Sequence, residues 1–362
     1  MEGIGWFTHE VLRRMTLAHP EVEFHFFFDR PYDPAFIYGP NVIGHVVRPP
    51  VRHPWLFDWW FNVAVPSKLR RIGADVFVSM DGFCSLRAKL PQVITIHDLN
   101  FMHHPEHMQA RYRTYLPKRT RQFVQSKAVL TSVSAYSAQD IQRTFDVNRP
   151  VHVVYNAASD VFRPLSPERI SEVRSRLSGG RPFFLFVSSL HPRKNLVRIL
   201  LAFEASRANN DHTMPLLVVG RRFWMNQELD QLLLTMKYRD EVIFTGNLDQ
   251  TNLADVTGAA FALVYASLYE GFGVPIIEAM QCGVPVITSN VTSMPEVAGD
   301  AAILVDPYKV EEMAAAMKQL ANDEVLYQSL STASLLQAKK FDWSTSAQKY
   351  WQVIETAVLM KK

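Results

Sequence analysis

The feature that most constrains the fold is a regular alternation of apolar runs of strand length with amphipathic segments of helix length, along nearly the whole chain. Successive parallel strands need a crossover connection, which is usually a helix. Repeated strand–helix alternation is therefore typical of parallel, doubly wound sheets. The chain runs through two such series, so the sequence predicts an α/β protein with two Rossmann-like domains.

The length of 362 residues also suits two domains of ordinary size. We expect an N-terminal domain over residues 1–162, a C-terminal domain over residues 163–342 and a closing helix over residues 343–362. The boundary rests on Arg163–Pro167 and on Ser178–Gly180, where Pro, Ser and Gly are concentrated as in linkers.

The first residues are unusual, because a doubly wound domain normally opens with a central strand. Met1–Gly5 lead instead directly into a helical pattern, which we place near Thr8–Ala18. We expect either that the first strand is missing from this sequence or that the sheet has one strand fewer.

Composition excludes several classes of protein. The formal net charge of +3 is too small to indicate a nucleic acid partner. No run approaches the roughly 18 uninterrupted apolar residues of a membrane-spanning helix, and the start does not read as a signal peptide. Cys84 and Cys282 lie far apart and lack metal-ligand spacing. We expect a cytoplasmic protein, peripheral to the inner face of a membrane at most.

The strongest local signal is a glycine-containing loop, Tyr269-Glu270-Gly271-Phe272-Gly273, between a predicted strand and a predicted helix. The helix opens with Val274 and Pro275, and Glu278 lies about one turn into it. Such a loop presents backbone N–H groups and a positive helix end at the carboxyl edge of the sheet, where anionic ligands bind. A carboxylate at Glu278 can accept hydrogen bonds from paired ribose hydroxyls. The simpler alternative is that the two glutamates only complement the helix terminus.

A basic pair, Arg193-Lys194, follows the first predicted strand of the C-terminal domain and precedes a helix. Arg offers a bidentate fork and Lys a point charge, and both suit phosphate oxygens. Two solvated loop residues are the plain alternative. No Asp-x-Asp and no cluster with metal-ligand spacing occurs in the sequence. We therefore expect these cations to act in place of a divalent ion, with no metal and no cofactor.

The loop's Glu-Gly-Phe-Gly-x-Pro-x-x-Glu-Ala-Met pattern resembles the donor-site signature of retaining glycosyltransferases of family 4. The resemblance extends over nearly the whole chain: Ser188–Asn195 is similar to the family's phosphate-binding turn, and Gly246-Asn247-Leu248 to its base-contacting turn. Gly3-Ile4-Gly5 and His97-Asp98 resemble motifs of its N-terminal domain.

The resemblance implies the GT-B fold, in which an N-terminal acceptor-binding domain and a C-terminal nucleotide-sugar-binding domain face each other across a cleft. It also implies a set of donor-binding residues: Gly3, Gly5, Arg193, Lys194, Asn247, Leu248, Glu270, Gly271, Phe272, Gly273, Val274 and Glu278. The residues expected to act in catalysis are His97, Arg193, Lys194 and Glu270.

The N-terminal half carries two weaker signals. His97 ends an apolar run, where a histidine can bind a sugar hydroxyl or assist proton transfer, although a buried structural histidine is the alternative. Trp55–Phe61 is dense in aromatic residues, and Lys68, Arg70 and Arg71 follow it. That combination suits a membrane interface, but packing of the rings against the sheet is favoured.

The function expected from the resemblance is transfer of a hexosyl group, with retention, from a nucleoside diphosphate sugar to a glycan or lipid-linked acceptor hydroxyl in cell-surface polysaccharide synthesis. Two alternatives remain open. One is a sugar phosphorylase or a nucleotide-sugar isomerising enzyme on the same frame. The other is a catalytically silent scaffold subunit.

Overall fold

The structure is a computed structural model that describes residues 3–207, 213–221 and 227–360. Its contacts divide the chain into two compact units. The N-terminal unit comprises Met1–Asn156 together with Asp342–Lys362, and the C-terminal unit comprises Ala157–Phe341. The first division thus falls six residues before the boundary placed from the sequence.

The N-terminal unit contains two parallel sheets within its described residues. One pairs β1 with β2, and the other has the order β3-β4-β5-β6. The strands are β1 (Phe24–Phe28), β2 (Val42–Val46), β3 (Phe77–Ser79), β4 (Gln92–Thr95), β5 (Val129–Ser132) and β6 (Val151–Val153). The helices are α1 (Gly3–Ala18), α2 (Pro54–Trp59), α3 (Val65–Ile72), α4 (Asn100–His103), α5 (Ala110–Arg113), α6 (Tyr115–Gln125) and α7 (Ala135–Phe145).

Helix α1 differs from the prediction, because it begins at Gly3 and not near Thr8. Gly3 and Gly5, which are expected among the donor-binding residues, therefore lie in the first turn of a helix and not ahead of it. Gly3 and Gly5 have no positive φ angle, and Gly3–Phe7 contains no proline, so the helix extends to the first described residue, ahead of its buried stripe of Phe7, Val11 and Met15.

The C-terminal unit contains one parallel sheet of six strands in the order β12-β11-β10-β7-β8-β9. Its strands are β7 (Phe184–Val187), β8 (Leu216–Val219), β9 (Val242–Gly246), β10 (Ala262–Tyr265), β11 (Val286–Ser289) and β12 (Ala302–Val305). Its helices are α8 (Pro167–Ser178), α9 (Leu196–Arg207), α10 (Gln227–Thr235), α11 (Gln250–Ala259), α12 (Val274–Gln281), α13 (Met294–Ala298), α14 (Val310–Asn322) and α15 (Glu324–Ala338).

The strand order of this sheet determines where its loops meet. From β7 the chain builds outward through β8 and β9, and then returns to place β10 on the other side of β7. The direction of winding reverses between β7 and β10, and the crevice at such a switch point is where ligands bind in open α/β sheets. The central strands β8, β10 and β11 are buried at every position, as parallel strands covered on both faces are.

The last helix, α16 (Trp343–Leu359), belongs to the N-terminal unit. Its Tyr350 is fully buried, and the hydroxyl oxygen lies 2.8 Å from Thr95 Oγ1 of β4. Its main helical neighbour is α1, which packs along it. The carboxyl-terminal segment is thus tied by core packing and by a buried hydrogen bond to the first half of the chain.

The α/β fold class predicted from the sequence is confirmed. The sequence did not reveal β6 and β12 at the sheet edges, nor helix α8, which the structure forms between the linker segments predicted at Arg163–Pro167 and Ser178–Gly180. Ser166 caps that helix by accepting a hydrogen bond from Arg169 N, and Pro167 fits its first turn. Among the described residues, no helix is both long and apolar enough to cross a bilayer.

Candidate active site

Two loops meet at the switch point of the C-terminal sheet. The basic turn, Ser188–Asn195, follows β7, and the acidic loop, Ala266–Gly273, follows β10. Because β7 and β10 are hydrogen-bonded neighbours, their carboxyl ends deliver both loops to the same point. Leu268 N donates to Arg193 O at 2.8 Å and ties the loops together.

The basic turn is fixed by hydrogen bonds of a buried asparagine at its end. Pro192–Lys194 form one 3-10 turn, which ends at Asn195 with a φ of +63°. The side chain of Asn195 is buried, and its amide donates to the carbonyl oxygens of Ala266 at 2.9 Å and Pro307 at 2.7 Å. An asparagine tolerates the left-handed conformation and supplies the two donors. The turn therefore presents Arg193 and Lys194 in a fixed geometry.

The acidic loop is held by the segment after β11. The Ser293 hydroxyl lies 2.9 Å from Glu270 O and 3.0 Å from Phe272 O. Gly273 closes the loop with a φ of +102°, a conformation that favours glycine. A Cβ added at this position would also lie only 3.0 Å from the side chain of Ile276. Helix α12 begins at the next residue, Val274.

The two loops join through a buried ionic cluster, which we call the Glu270 cluster: Arg193, Lys194, Tyr265 and Glu270. Arg193 Nη1 lies 2.8 Å from Glu270 Oε2, and Lys194 Nζ lies 2.5 Å from Oε1. Glu270 is only 6% exposed and Lys194 only 8%. Burial by itself would raise the pKa of Glu270, but the charges and hydrogen bonds of Arg193 and Lys194 outweigh it and lower the pKa to about 2.

Tyr265, the last residue of β10, was not among the residues singled out from the sequence. Its hydroxyl lies 2.9 Å from Glu270 Oε1 and 2.8 Å from Lys194 Nζ. Burial, reinforced by the charge of Glu270, raises the pKa of Tyr265 well above its ordinary value. The phenol therefore stays neutral and donates to the carboxylate. Its place at the carboxyl end of a central strand was the only available signal.

Glu278 lies on α12 in a very different setting. No hydrogen bond from a described residue reaches its carboxylate, and burial raises its pKa to about 7. The two glutamates of the motif thus diverge: Glu270 is ionised and held by two cations, whereas Glu278 is divided between its neutral and ionised forms near pH 7. A carboxyl group without a protein partner is suited to bind a ligand hydroxyl.

The other predicted donor residues fall into two groups. Gly271, Phe272, Gly273 and Val274 surround the Glu270 cluster as the end of the acidic loop and the start of α12. Asn247 and Leu248 follow β9, at the same edge of the sheet. Because β9 is three strands from β10, Asn247 and Leu248 lie about 14 Å from the end of β10, measured along that edge. The predicted donor residues of this unit therefore lie along one edge of the sheet, from the Glu270 cluster to the turn at Asn247 and Leu248, which we call the outer turn.

His97, Gly3 and Gly5 belong to the N-terminal unit. His97 lies two residues beyond β4, and its Nε2 is 2.8 Å from Met80 O. This contact requires a proton on Nε2. Burial lowers the pKa of His97, which favours the neutral ring. Phe7 of α1 makes an edge contact with the ring at 5.1 Å. The catalytic role of His97 stays a prediction.

The Glu270 cluster can hold an anion. Its two cations and one carboxylate leave a net positive charge beside the amino-terminal end of α12, which adds a positive dipole. The cations are fixed by hydrogen bonds before any ligand arrives, so little reorganisation is needed. Within the described residues, no group of His, Cys, Asp and Glu could hold a metal ion.

Comparison with known proteins gives two family matches that together take in nearly the whole chain. Residues 168–335 match the model described as Glycosyl transferases group 1, and residues 1–160 match Glycosyltransferase Family 4. O-antigen chain mannosyltransferase B of Escherichia coli is 34% identical over 69% of this chain and 66% of its own length. O-antigen chain mannosyltransferase RfbU of Salmonella typhimurium is 26% identical over 79% of this chain and 76% of its own length.

Some relatives are much longer than the matched region. Serotype-specific mannosyltransferase WbdA of Escherichia coli is 28% identical, and the match spans 29% of its length.

Solved structures agree on the fold across both units. WaaG, a glycosyltransferase involved in lipopolysaccharide biosynthesis, superposes with a TM-score of 0.73 at 17% identity, covering 96% of this chain and 95% of that one. Anabaena HepE, solved with UDP and glucose, gives 0.74 at 20% identity and covers 96% of each chain.

The fold and the site together define a GT-B protein with two Rossmann-like domains. The chain belongs to the group 1 glycosyltransferases, with an N-terminal domain of glycosyltransferase family 4.

The raised pKa of Glu278 predicts a pH-dependent stability. Its pKa is about 7 in the folded chain against an ordinary 4.5. Between these values the folded chain holds more protons than the unfolded chain, so this group lowers the free energy of unfolding as pH rises from about 4.5 to about 7. Glu278→Gln removes that contribution. In urea titrations from pH 5 to 8, the variant should gain stability relative to the parent chain as pH rises.

Glu311→Gln, on the exposed first turn of α14, is the control. Parallel stability profiles for parent and Glu278→Gln would contradict the assignment.

Proposed function

We propose that the chain is a retaining, metal-independent hexosyltransferase that uses a nucleoside diphosphate sugar. We propose further that the sugar is mannose and that the acceptor is a hydroxyl of a growing cell-surface polysaccharide, free or lipid-linked. The names of the O-antigen mannosyltransferases among its relatives support this choice of sugar and product.

The observation that carries the proposal is the Glu270 cluster. When the bond between the sugar C1 and the diphosphate oxygen breaks, negative charge develops on the diphosphate. Arg193 and Lys194 are fixed where they can take up that charge. Glu270 holds both cations in place and faces the sugar end of the donor. Helix α12 and the backbone of Gly271–Val274 add N–H groups toward the phosphates.

The other donor residues have separate tasks in this proposal. Glu278 accepts hydrogen bonds from the ribose hydroxyls, and Asn247 and Leu248 contact the base. The spacing between β10 and β9 along the sheet edge accommodates a nucleotide laid from the Glu270 cluster to the outer turn. His97, on the N-terminal unit, binds a sugar hydroxyl. Gly3 and Gly5 supply the backbone at the start of α1, now as helical residues instead of a loop.

Retention follows, in our proposal, from attack on the same face. The acceptor oxygen forms its bond to C1 as the C1–phosphate bond breaks, and the acceptor proton passes to the departing diphosphate oxygen. No covalent intermediate with the protein is required. The carboxylate of Glu270 already accepts hydrogen bonds from Arg193, Lys194 and Tyr265, which makes it a poor nucleophile.

We propose that the protein works in the cytoplasm, with peripheral contact at the inner face of the membrane. The aromatic segment of the N-terminal unit divides in two. Trp60 and Phe61 pack into the core, as the favoured alternative predicted, whereas Trp55 and Trp59 are 67% and 40% exposed. Exposed tryptophans followed by basic residues suit a headgroup region where a lipid-linked acceptor would lie.

The function is tested by a panel of nucleoside diphosphate sugars with a mannose-terminated acceptor, with product analysis by NMR. We expect release of nucleoside diphosphate only when acceptor is present, an α-linked product from an α-linked donor, and equal rates with Mg²⁺ or with a chelator. An inverted product would contradict retention, and loss of activity on chelation would contradict metal independence. Phosphorolysis without acceptor would indicate a phosphorylase.

The same assay tests the roles of the two cations. Arg193→Ala and Lys194→Ala should each lower kcat by about 10²–10³, because each removes a fixed charge from the transition state. Arg176→Ala, on the exposed face of α8, is the matched control and should retain full activity. Full activity in either cluster variant would contradict the proposed role.

Membrane contact is tested by liposome flotation with and without anionic lipid. The parent chain should float with anionic liposomes, and the Trp55→Ala/Trp59→Ala double variant should float several-fold less. Leu336→Ala, which removes a side chain that is 61% exposed on α15, is the control and should behave like the parent. Absence of binding with both lipid mixtures would reject the membrane contact.

A further inference from the structure

A carboxylate of the N-terminal unit, that of Asp81, has no part in the function proposed above. Asp81 lies two residues beyond the end of β3, and the residue is exposed. Among the described residues, no lysine or arginine contributes to stabilising its charge. The carboxyl ends of parallel strands are the edge at which ligands bind in open α/β sheets. An ionisable side chain without a cationic partner at that edge is a candidate binding group.

The carboxylate of Asp81 is oriented by its own turn. Ser79 Oγ donates a hydrogen bond of 2.6 Å to Asp81 Oδ1. Gly82 follows with a φ of +86°, which lets the chain turn immediately after Asp81. The surrounding protein displaces water from the carboxylate and raises the pKa of Asp81, and the hydrogen bond from Ser79 acts in the opposite direction. A carboxylate offers about four acceptor positions, and the contacts within this turn use only part of them.

The segment that carries Asp81 also holds His97. Met80 O accepts the hydrogen bond from His97 Nε2 at 2.8 Å. The register of the two strands pairs Ser79 with Ile94, so Asp81 and His97 leave β3 and β4 at the same edge of the sheet. The charges of the two side chains act on each other's pKa. Because Nε2 carries the proton, Nδ1 of the neutral ring can only accept a hydrogen bond.

A buried network supports the same edge of the sheet. Thr131 Oγ1 donates to Thr95 Oγ1 at 2.8 Å, and the hydroxyl oxygen of Tyr350 lies 2.8 Å from the same atom. All three side chains are fully buried. Burial raises the pKa of Tyr350 to about 12, and the charge of Asp81 acts in the same direction. The carboxylate therefore lies close to groups that are already fixed, so that binding a ligand requires little further ordering.

We propose that Asp81 binds the sugar that accepts the transferred residue, through hydrogen bonds from its hydroxyl groups and next to the hydroxyl bound by His97. This inference rests on the proposed function and names the residue of the N-terminal unit that selects the substrate. Asp81 and Nδ1 of His97 are both hydrogen-bond acceptors, so they match the O–H donors of a sugar. An anionic group would be repelled by Asp81. The substrate class is therefore a neutral sugar with neighbouring free hydroxyls.

The first test measures binding of methyl α-mannoside to the full chain by saturation-transfer NMR. Asp81→Ala should weaken binding by about tenfold or more, because hydrogen bonds to a charged group are lost. Asp81→Asn keeps the shape of the side chain and should weaken binding several-fold with an unchanged Tm. Asp75→Ala is the matched control, because Asp75 is an exposed aspartate two residues before β3, at the opposite end of the strand. Unchanged affinity in both Asp81 variants, or no binding to the parent chain, would overturn the proposal.

Monodeoxy analogues of methyl α-mannoside provide a readout that a merely structural role would not change. In the parent chain, at least one of the 2-, 3-, 4- and 6-deoxy compounds should bind about tenfold more weakly than the mannoside. In Asp81→Ala that difference should nearly disappear, because the partner of the missing hydroxyl is already gone. The same sensitivity to every deoxy position in the parent chain and in Asp81→Ala would contradict a direct contact.

Kinetics separate this inference from the proposed function. In the transfer assay, Asp81→Asn should raise KM for the mannoside several-fold and leave KM for the nucleoside diphosphate sugar unchanged. Transfer with an unchanged KM for the mannoside would overturn the role of Asp81 while the proposed function stands. Binding of the mannoside through Asp81, with no transfer from any donor of the panel, would contradict the proposed function while the binding site stands.

Discussion

The structure of the candidate site depends on one interaction, the pairing of Glu270 with Arg193 and Lys194. A carboxylate that is 6% exposed is tolerated only because two cations neutralise it. The same pairing orients the two cations that the proposed function assigns to the donor diphosphate. Tyr265 completes the arrangement by donating to the carboxylate. Stability and the donor binding proposed above therefore involve the same buried charges.

The cluster exists because of the strand order. Lys194 and Glu270 are 76 residues apart in the chain, but the switch between β7 and β10 places their loops side by side. The loops are then fixed by hydrogen bonds from side chains to backbone, from Asn195 on one side and Ser293 on the other. These contacts are made within the protein, so the geometry of the Glu270 cluster is a property of the fold itself.

Much of this could be predicted from the sequence, because the signals were local. The α/β class followed from periodicity, and the acidic loop and basic turn followed from glycine, proline and charge at fixed spacing. The contact between Glu270 and Lys194 could not be predicted without the strand order. Tyr265 was missed because its only signal was a position at the end of a strand, and its contacts with Lys194 and Glu270 depend on the fold. The start of α1 at Gly3 was missed because glycine is a weak helix former, whereas the apolar stripe of α1 decides here.

The central claim is that the Glu270 cluster binds the diphosphate of a nucleotide. Isothermal titration calorimetry of the unmodified chain tests it most directly, with GDP, UDP and ADP compared with the corresponding nucleosides. The account predicts that at least one nucleoside diphosphate binds about 100-fold more tightly than its nucleoside, and that this difference shrinks in Lys194→Met. Equal binding of diphosphate and nucleoside, or no binding of any of them, would contradict it.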